Sequence, residues 1–77
     1  MNDEILNIDK ITSKLLAASL VKDKLTQSTR YEMIKSASFY GYKKSVLFWL
    51  NEAKINTISE EERNHLSKKI FILKSKD

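Results

Sequence analysis

The chain has no cysteine and no proline, a single glycine (Gly41) and a single histidine (His65). Each shortage removes a class of protein. Without cysteine there is no disulfide scaffold and no thiolate chemistry, and the redox compartment stays open. One histidine cannot build a multi-histidine metal site. One glycine cannot form a phosphate-cradling loop, which needs more than one. No uninterrupted apolar run approaches the ~20 residues of a membrane-spanning helix. The first residues, Met1, Asn2, Asp3 and Glu4, are acidic where a secretory signal is basic, so the expected location is cytoplasmic.

The same shortages bear on the fold. Tight turns draw on proline and glycine, so turn-rich sheet folds are disfavoured, whereas helices joined by short polar links need few breaks. The 77 residues allow one domain, near the lower limit for burying a stable core. Charge is modest: 14 Lys and Arg against 10 Asp and Glu give +4, with a pI of about 9.4.

What is present reads as helices. Ile8, Ile11, Leu15, Ala18 and Leu25 form a helical stripe, widened by Leu16, Leu20 and Val21, and lysines fill the opposite face. This predicts a first helix over about residues 8–25, with a start nearer Asp3 as the alternative. Thr29 and Glu32 have capping-box spacing, which predicts a second helix from about residue 30 to 40. Gly41 stands where a left-handed helix cap places a glycine. The run Val46 to Leu50 also suits a buried strand, but Asn51, Glu52, Ala53 and Lys54 continue it without a breaker, so a third helix is expected over 43–54. Ser59 followed by Glu60, Glu61 and Glu62 is a second capping box whose acids complement the helix dipole. It predicts a fourth helix over 60–74. Residues 1–77 thus read as one all-α domain, a compact bundle of about four helices with short frayed tails.

Catalysis finds little support. His65 lies among Arg63, Asn64 and Lys68 and reads as a solvated surface histidine. The three consecutive glutamates project about 100° apart and do not converge on one ion. The serines lack a His or thiol partner pattern. No enzyme activity, metal or cofactor is expected.

Residues 31–49 are the unusual segment, holding Tyr31, Phe39, Tyr40, Tyr42, Phe48 and Trp49, all the aromatics except Phe71. Residues 30–44 add Arg30, Lys35, Lys43 and Lys44 against Glu32 alone. Lys43 and Lys44 would oppose the dipole of the third helix, and a local rule broken this way often marks a binding site. The plainer alternative is that the rings fill the core while the lysines are solvated. The third helix is also apolar over nearly its whole circumference. Some of Leu47, Phe48, Phe71 and Ile72 should therefore stay near the surface, where an apolar patch meets a partner or a second copy.

Ala37, Gly41, Ser45, Val46 and the sequence Trp49, Leu50, Asn51 resemble a helix-turn-helix segment over residues 37–51. That resemblance implies a reading helix after the glycine, with Lys43, Lys44, Ser45 and Glu52 toward DNA. In this chain the outward positions of that helix would include Val46, Phe48 or Trp49. Ala37 to Asn56 is also similar to the helical half of an ankyrin repeat, with Tyr42 at its usual histidine; the chain holds no second copy to stack against.

The leading expectation is a non-enzymatic binding protein that regulates or inhibits a protein partner through Tyr40, Tyr42, Lys43, Lys44 and Phe48. In composition it is similar to accessory proteins of bacteria, phages and plasmids, including immunity-type bundles. The runner-up is a nucleic-acid-binding regulator using Lys35, Lys43, Lys44 and Ser45. Membrane attachment ranks below both, because lysines are spread along the chain instead of flanking one apolar face.

Overall fold

Four helices account for nearly all of the computed structural model, which describes the backbone of residues 3–76 and the side chains of residues 10–76. They are α1 (Asp3–Leu20), α2 (Gln27–Phe39), α3 (Lys43–Asn56) and α4 (Glu60–Lys74), with a 3-10 turn at Lys22–Lys24 between the first two. Among the described residues there is no strand, so the chain is the expected all-α bundle. None of these helices is long and apolar enough to cross a membrane.

The boundaries correct the sequence reading in three places. α1 starts at Asp3 instead of residue 8 and ends at Leu20, not near residue 25. The apolar stripe does continue to Leu25, but through the 3-10 turn. Val21 N–H bonds the Ala18 carbonyl (3.1 Å), tightening the chain, and Leu25 follows with extended backbone and packs against the core. α2 starts at Gln27 because its cap is Thr26, not Thr29. Thr26 Oγ1 accepts the Thr29 N–H (3.1 Å), and the Arg30 N–H closes the turn on the Thr26 carbonyl (3.1 Å). α3 runs two residues past the expected end, to Asn56, whose side chain donates to the Glu52 carbonyl (2.8 Å). α4 matches the expectation at both ends. Of the expected tails, Met1, Asn2 and Asp77 lie outside the described residues. Residues 75–76 form a turn, with Ser75 N–H on the Phe71 carbonyl (3.1 Å).

The core is built around α3, which contributes Val46, Trp49, Leu50 and Ala53. Met33 and Ala37 meet it from α2, Leu66 and Ile70 from α4, and Leu15, with the partly buried Ile11 and Ala18, from the described part of α1. Trp49 and Leu66 are the largest fully buried side chains, so Trp49 belongs to the core. Burying each such side chain stabilises the fold by about 1.5–3 kcal/mol. α2 and α4 pack along α3 and meet each other through Tyr31 and Glu62, and among the described residues α1 is the most lightly attached helix.

Polar side chains fix the order of the helices at one end. Gln27, the first residue of α2, donates to the Ala53 carbonyl near the end of α3 (2.8 Å), so the two helices run antiparallel over their whole length. Arg30, 4 % exposed, donates to the Lys22 carbonyl (2.9 Å) and to Gln27 Oε1 (3.1 Å). Lys22 Nζ lies 3.6 Å from the buried Glu52 carboxylate. Ser59 Oγ caps α4 by accepting the Glu62 N–H (3.2 Å). The reciprocal half of the capping box does not form, because the Glu62 carboxylate accepts the hydroxyls of Thr57 and Tyr31 instead. Those hydrogen bonds, Thr57's foremost, hold Glu62 below its usual carboxylate range. Burial and then the Glu62 hydrogen bond push the Tyr31 phenol up to about 12.

Candidate partner-binding site

The opposite end is shaped by Gly41. Its φ of +74° is the left-handed conformation that a side chain resists, and it lets the chain reverse within three residues. The Tyr42 N–H reaches the Ala37 carbonyl (2.9 Å) and the Gly41 N–H the Ser38 carbonyl (3.1 Å), closing the end of α2. This short reversal brings three rings together. Phe39 meets Tyr40 edge-on (5.0 Å, 82°), and Tyr40 stacks on Tyr42 (6.1 Å, 26°). Phe39 is 81 % exposed and Tyr40 38 %, while Tyr42 packs partly against the core.

α3 then begins without the devices that start α2 and α4. Tyr42 supplies no side-chain cap, no acid lies in the first turn, and Lys43 and Lys44 stand where the dipole favours anions. One turn further on, Phe48 is half-buried and packs edge-on against Trp49 (5.0 Å, 88°).

Three of the five residues expected to bind a partner line one groove between α1 and α3. Tyr42, Lys44 and Phe48 form its α3 wall with Ser45 and Trp49, and Leu15 and Leu16 face them from α1. The groove has a volume of about 330 Å³. Tyr40 extends this wall through its stack on Tyr42. Lys43 points elsewhere, into a second groove on the other side of α3. Of the residues assigned to nucleic acid, Ser45 and Lys44 share the first groove, and Lys35 is exposed on α2 and lines neither.

The α1 wall was not read from the sequence. Leu15 and Leu16 are adjacent and so project about 100° apart, which means that both cannot face the core. Leu15 is buried and Leu16 is 63 % exposed. That pair was the available signal, and Thr12 and Ser19 join it at helical spacing. Of the four apolar residues of which some were expected near the surface, Phe71 and Ile72 are exposed, and Leu47 and Phe48 are half-buried.

The arrangement suits binding. His65 is exposed on α4, and among the described residues no group of three His, Asp or Glu side chains converges to hold a metal ion. The first groove offers aliphatic and aromatic walls with one ammonium at its rim, which can seat an apolar anchor flanked by a carboxylate. Neither a family model, nor a curated protein, nor a solved structure matches this chain.

Proposed function

We propose that this chain is a small non-enzymatic binding protein that regulates or inhibits a protein partner, an accessory protein of the immunity or phage and plasmid type. The observation that carries this reading is the α1–α3 groove. It gathers Tyr42, Lys44 and Phe48 around an apolar cleft and leaves the Tyr40 and Phe39 rings open beside it. Anchors of this kind, aromatic and ringed by a cation, carry most of the energy at protein interfaces.

The test is capture from a lysate of the source organism, scored for protein and nucleic acid together. Wild type should retain a discrete protein. Both side chains are exposed, so Tyr40→Ala should lose it while melting at the wild-type temperature, and Lys44→Glu should lose it while melting no lower than wild type. Retention by both variants sinks the reading.

A nucleic-acid partner is the second reading, supported by Lys35, Lys43 and Lys44 and by the helix-turn-helix resemblance. Against it stands the place of α3, which is the central helix of the bundle and turns Val46, Trp49 and Leu50 inward. Duplex DNA should then bind with an affinity that falls steeply with salt and drops further in the Lys43→Glu/Lys44→Glu double variant. Affinity weaker than about millimolar at low salt ends that reading.

A further inference from the structure

The second groove lies on a nearly opposite face of α3 from the first and has a different character. Two adjoining cavities of about 210 and 340 Å³ share Ser38, Val46, Leu73 and Lys76, so they form one furrow. Each bordering helix contributes a stripe at helical spacing. α4 gives Lys69, Ile72 and Leu73, joined by Lys76 from the turn that follows it, α3 gives Lys43, Val46 and Leu50, and α2 gives Ile34 and Ser38. The floor is aliphatic and the rim is lysine. No carboxylate lines it among the described residues.

The charge around the furrow extends well beyond its rim. The second half of α2, the first half of α3 and the second half of α4 with its following turn meet at this end. They carry Lys35, Lys43, Lys44, Lys68, Lys69, Lys74 and Lys76, and no acid among the described residues. The described acids, Asp23, Glu32, Glu52 and Glu60 to Glu62, lie toward the other end. The lysines that seemed evenly spread along the sequence are gathered by the antiparallel packing.

We propose that this furrow docks an acidic amphipathic helix of a protein partner. The apolar face of that helix would rest on Val46, Leu50, Ile72 and Leu73, with its carboxylates against Lys69 and Lys76. α2 and α4 both lie on α3, joined by Tyr31 and Glu62 at the far end and separated by the furrow at this one, so a further helix packs between them as ridges pack into a groove. The α4 wall runs from Lys69 to Leu73, just over one helical turn, and Lys76 in the following turn lengthens it, which suits apolar anchors at i, i+3 or i+4, and i+7. Duplex DNA fits less well, because the aliphatic floor offers phosphates no donor. A flat bilayer surface meets the lysine rim before it reaches that floor. The proposal rests on the partner being a protein, but it uses a different face from the α1–α3 groove.

The experiment uses the full chain and a synthetic helical peptide of about four turns, with leucines at i, i+4 and i+7 and glutamates on its flanks. A glutamine-for-glutamate peptide, duplex DNA and phosphatidylserine vesicles are the comparison probes. The glutamate peptide should shift the methyl resonances of Ile34, Val46, Leu50 and Leu73. Its affinity should fall about tenfold in Lys69→Glu/Lys76→Glu, whose side chains are exposed, with the melting temperature unchanged. Tyr40→Ala should leave this binding intact, so failure of the first groove and failure of the furrow are told apart. Equal binding of the glutamine peptide overturns the proposal, as do shifts confined to Leu15 and Leu16 or no shifts at millimolar peptide. Binding of DNA or vesicles through Lys69 and Lys76, with no response to the peptide, assigns the surface to that ligand instead.

Discussion

The two ends of the α2–α3–α4 unit use their polar side chains in opposite ways. Where α2 begins, α3 ends and α4 begins, Gln27, Arg30, Thr57, Glu62 and Arg63 each reach across to another element. Where α2 ends and α3 begins, Lys35, Lys44, Lys69 and Lys76 pair with no described carboxylate, and Phe39 and Tyr40 lie open. The first end spends its hydrogen-bonding groups on holding the fold. The second leaves those groups at the surface. In a chain near the lower size limit for a stable core, that division lets one end remain open while the other supplies the order.

The largest expected effect comes from removing one positive charge at each end. Arg30→Ala deletes two hydrogen bonds and a side chain that is 4 % exposed, and it should lower stability by about 2–4 kcal/mol in urea unfolding. Lys69→Ala should fall within about 0.5 kcal/mol of wild type, as exposed substitutions usually do. Arg30→Met refines the comparison. The Arg30 Nε is buried without an acceptor, so methionine removes that orphan group while keeping the apolar stem, and it should lose less than alanine. Equal losses for Arg30→Ala and Lys69→Ala would erase the distinction between the ends.

Gly41→Ala probes the open end through its backbone alone. A Cβ at this position would meet no atom within 4 Å, so the φ of +74° sets the whole cost, about 1–2 kcal/mol. Thermal unfolding should register that loss, and Gly41→Asn should recover part of it, since asparagine tolerates the left-handed region. A loss confined to partner capture, with unchanged melting, would show that the corner relaxes without strain.

Tyr31→Phe weakens the closed end more gently. The phenol of Tyr31 donates to Glu62, and its loss should lower stability near neutral pH by about 0.5–1.5 kcal/mol. Its pH dependence has a definite sign. The folded Tyr31 titrates at about 12 against an ordinary 10.0, so its contribution is present below pH 10 and is lost as pH rises toward 12. Glu62 is shifted the other way, so its contribution is present above the ordinary carboxylate range and lost as pH falls through its lowered value. Melting temperatures of wild type and Tyr31→Phe should therefore converge between pH 10 and 12. Curves that stay parallel there would detach Tyr31 from the lock.

Much of this division was legible in the sequence, for reasons that particular residues make clear. Ser59 and its three glutamates marked the start of α4 because the signal is local, and Gly41 marked the corner because glycine takes its left-handed φ without a side-chain penalty. Thr29 misled because Thr26 offers the same hydroxyl three residues earlier, and only packing decides between them. Leu25 extended the stripe of α1 because periodicity does not distinguish an α-helical turn from a 3-10 turn. The gathering of lysines depends on three antiparallel helices bringing distant positions together, so a reading along the chain saw Lys43 and Lys44 but not Lys69 and Lys76.

The smallest expected effect is the sharpest, because stability and binding should move in opposite directions. Lys44 lies in the first turn of α3, exposed, with neither a side-chain cap nor an acid beside it. Its charge opposes the positive end of the helix, so Lys44→Glu should raise stability by a few tenths of a kcal/mol at low salt, and added salt should remove the gain. The same ammonium rims the α1–α3 groove beside Tyr42 and Phe48, so the variant should capture less partner. A lysine kept only for solubility would show the first change without the second. If Lys44→Glu is both more stable and fully competent to bind, the cation at the start of α3 has no role in recognition, and the open end is reduced to its rings and its furrow.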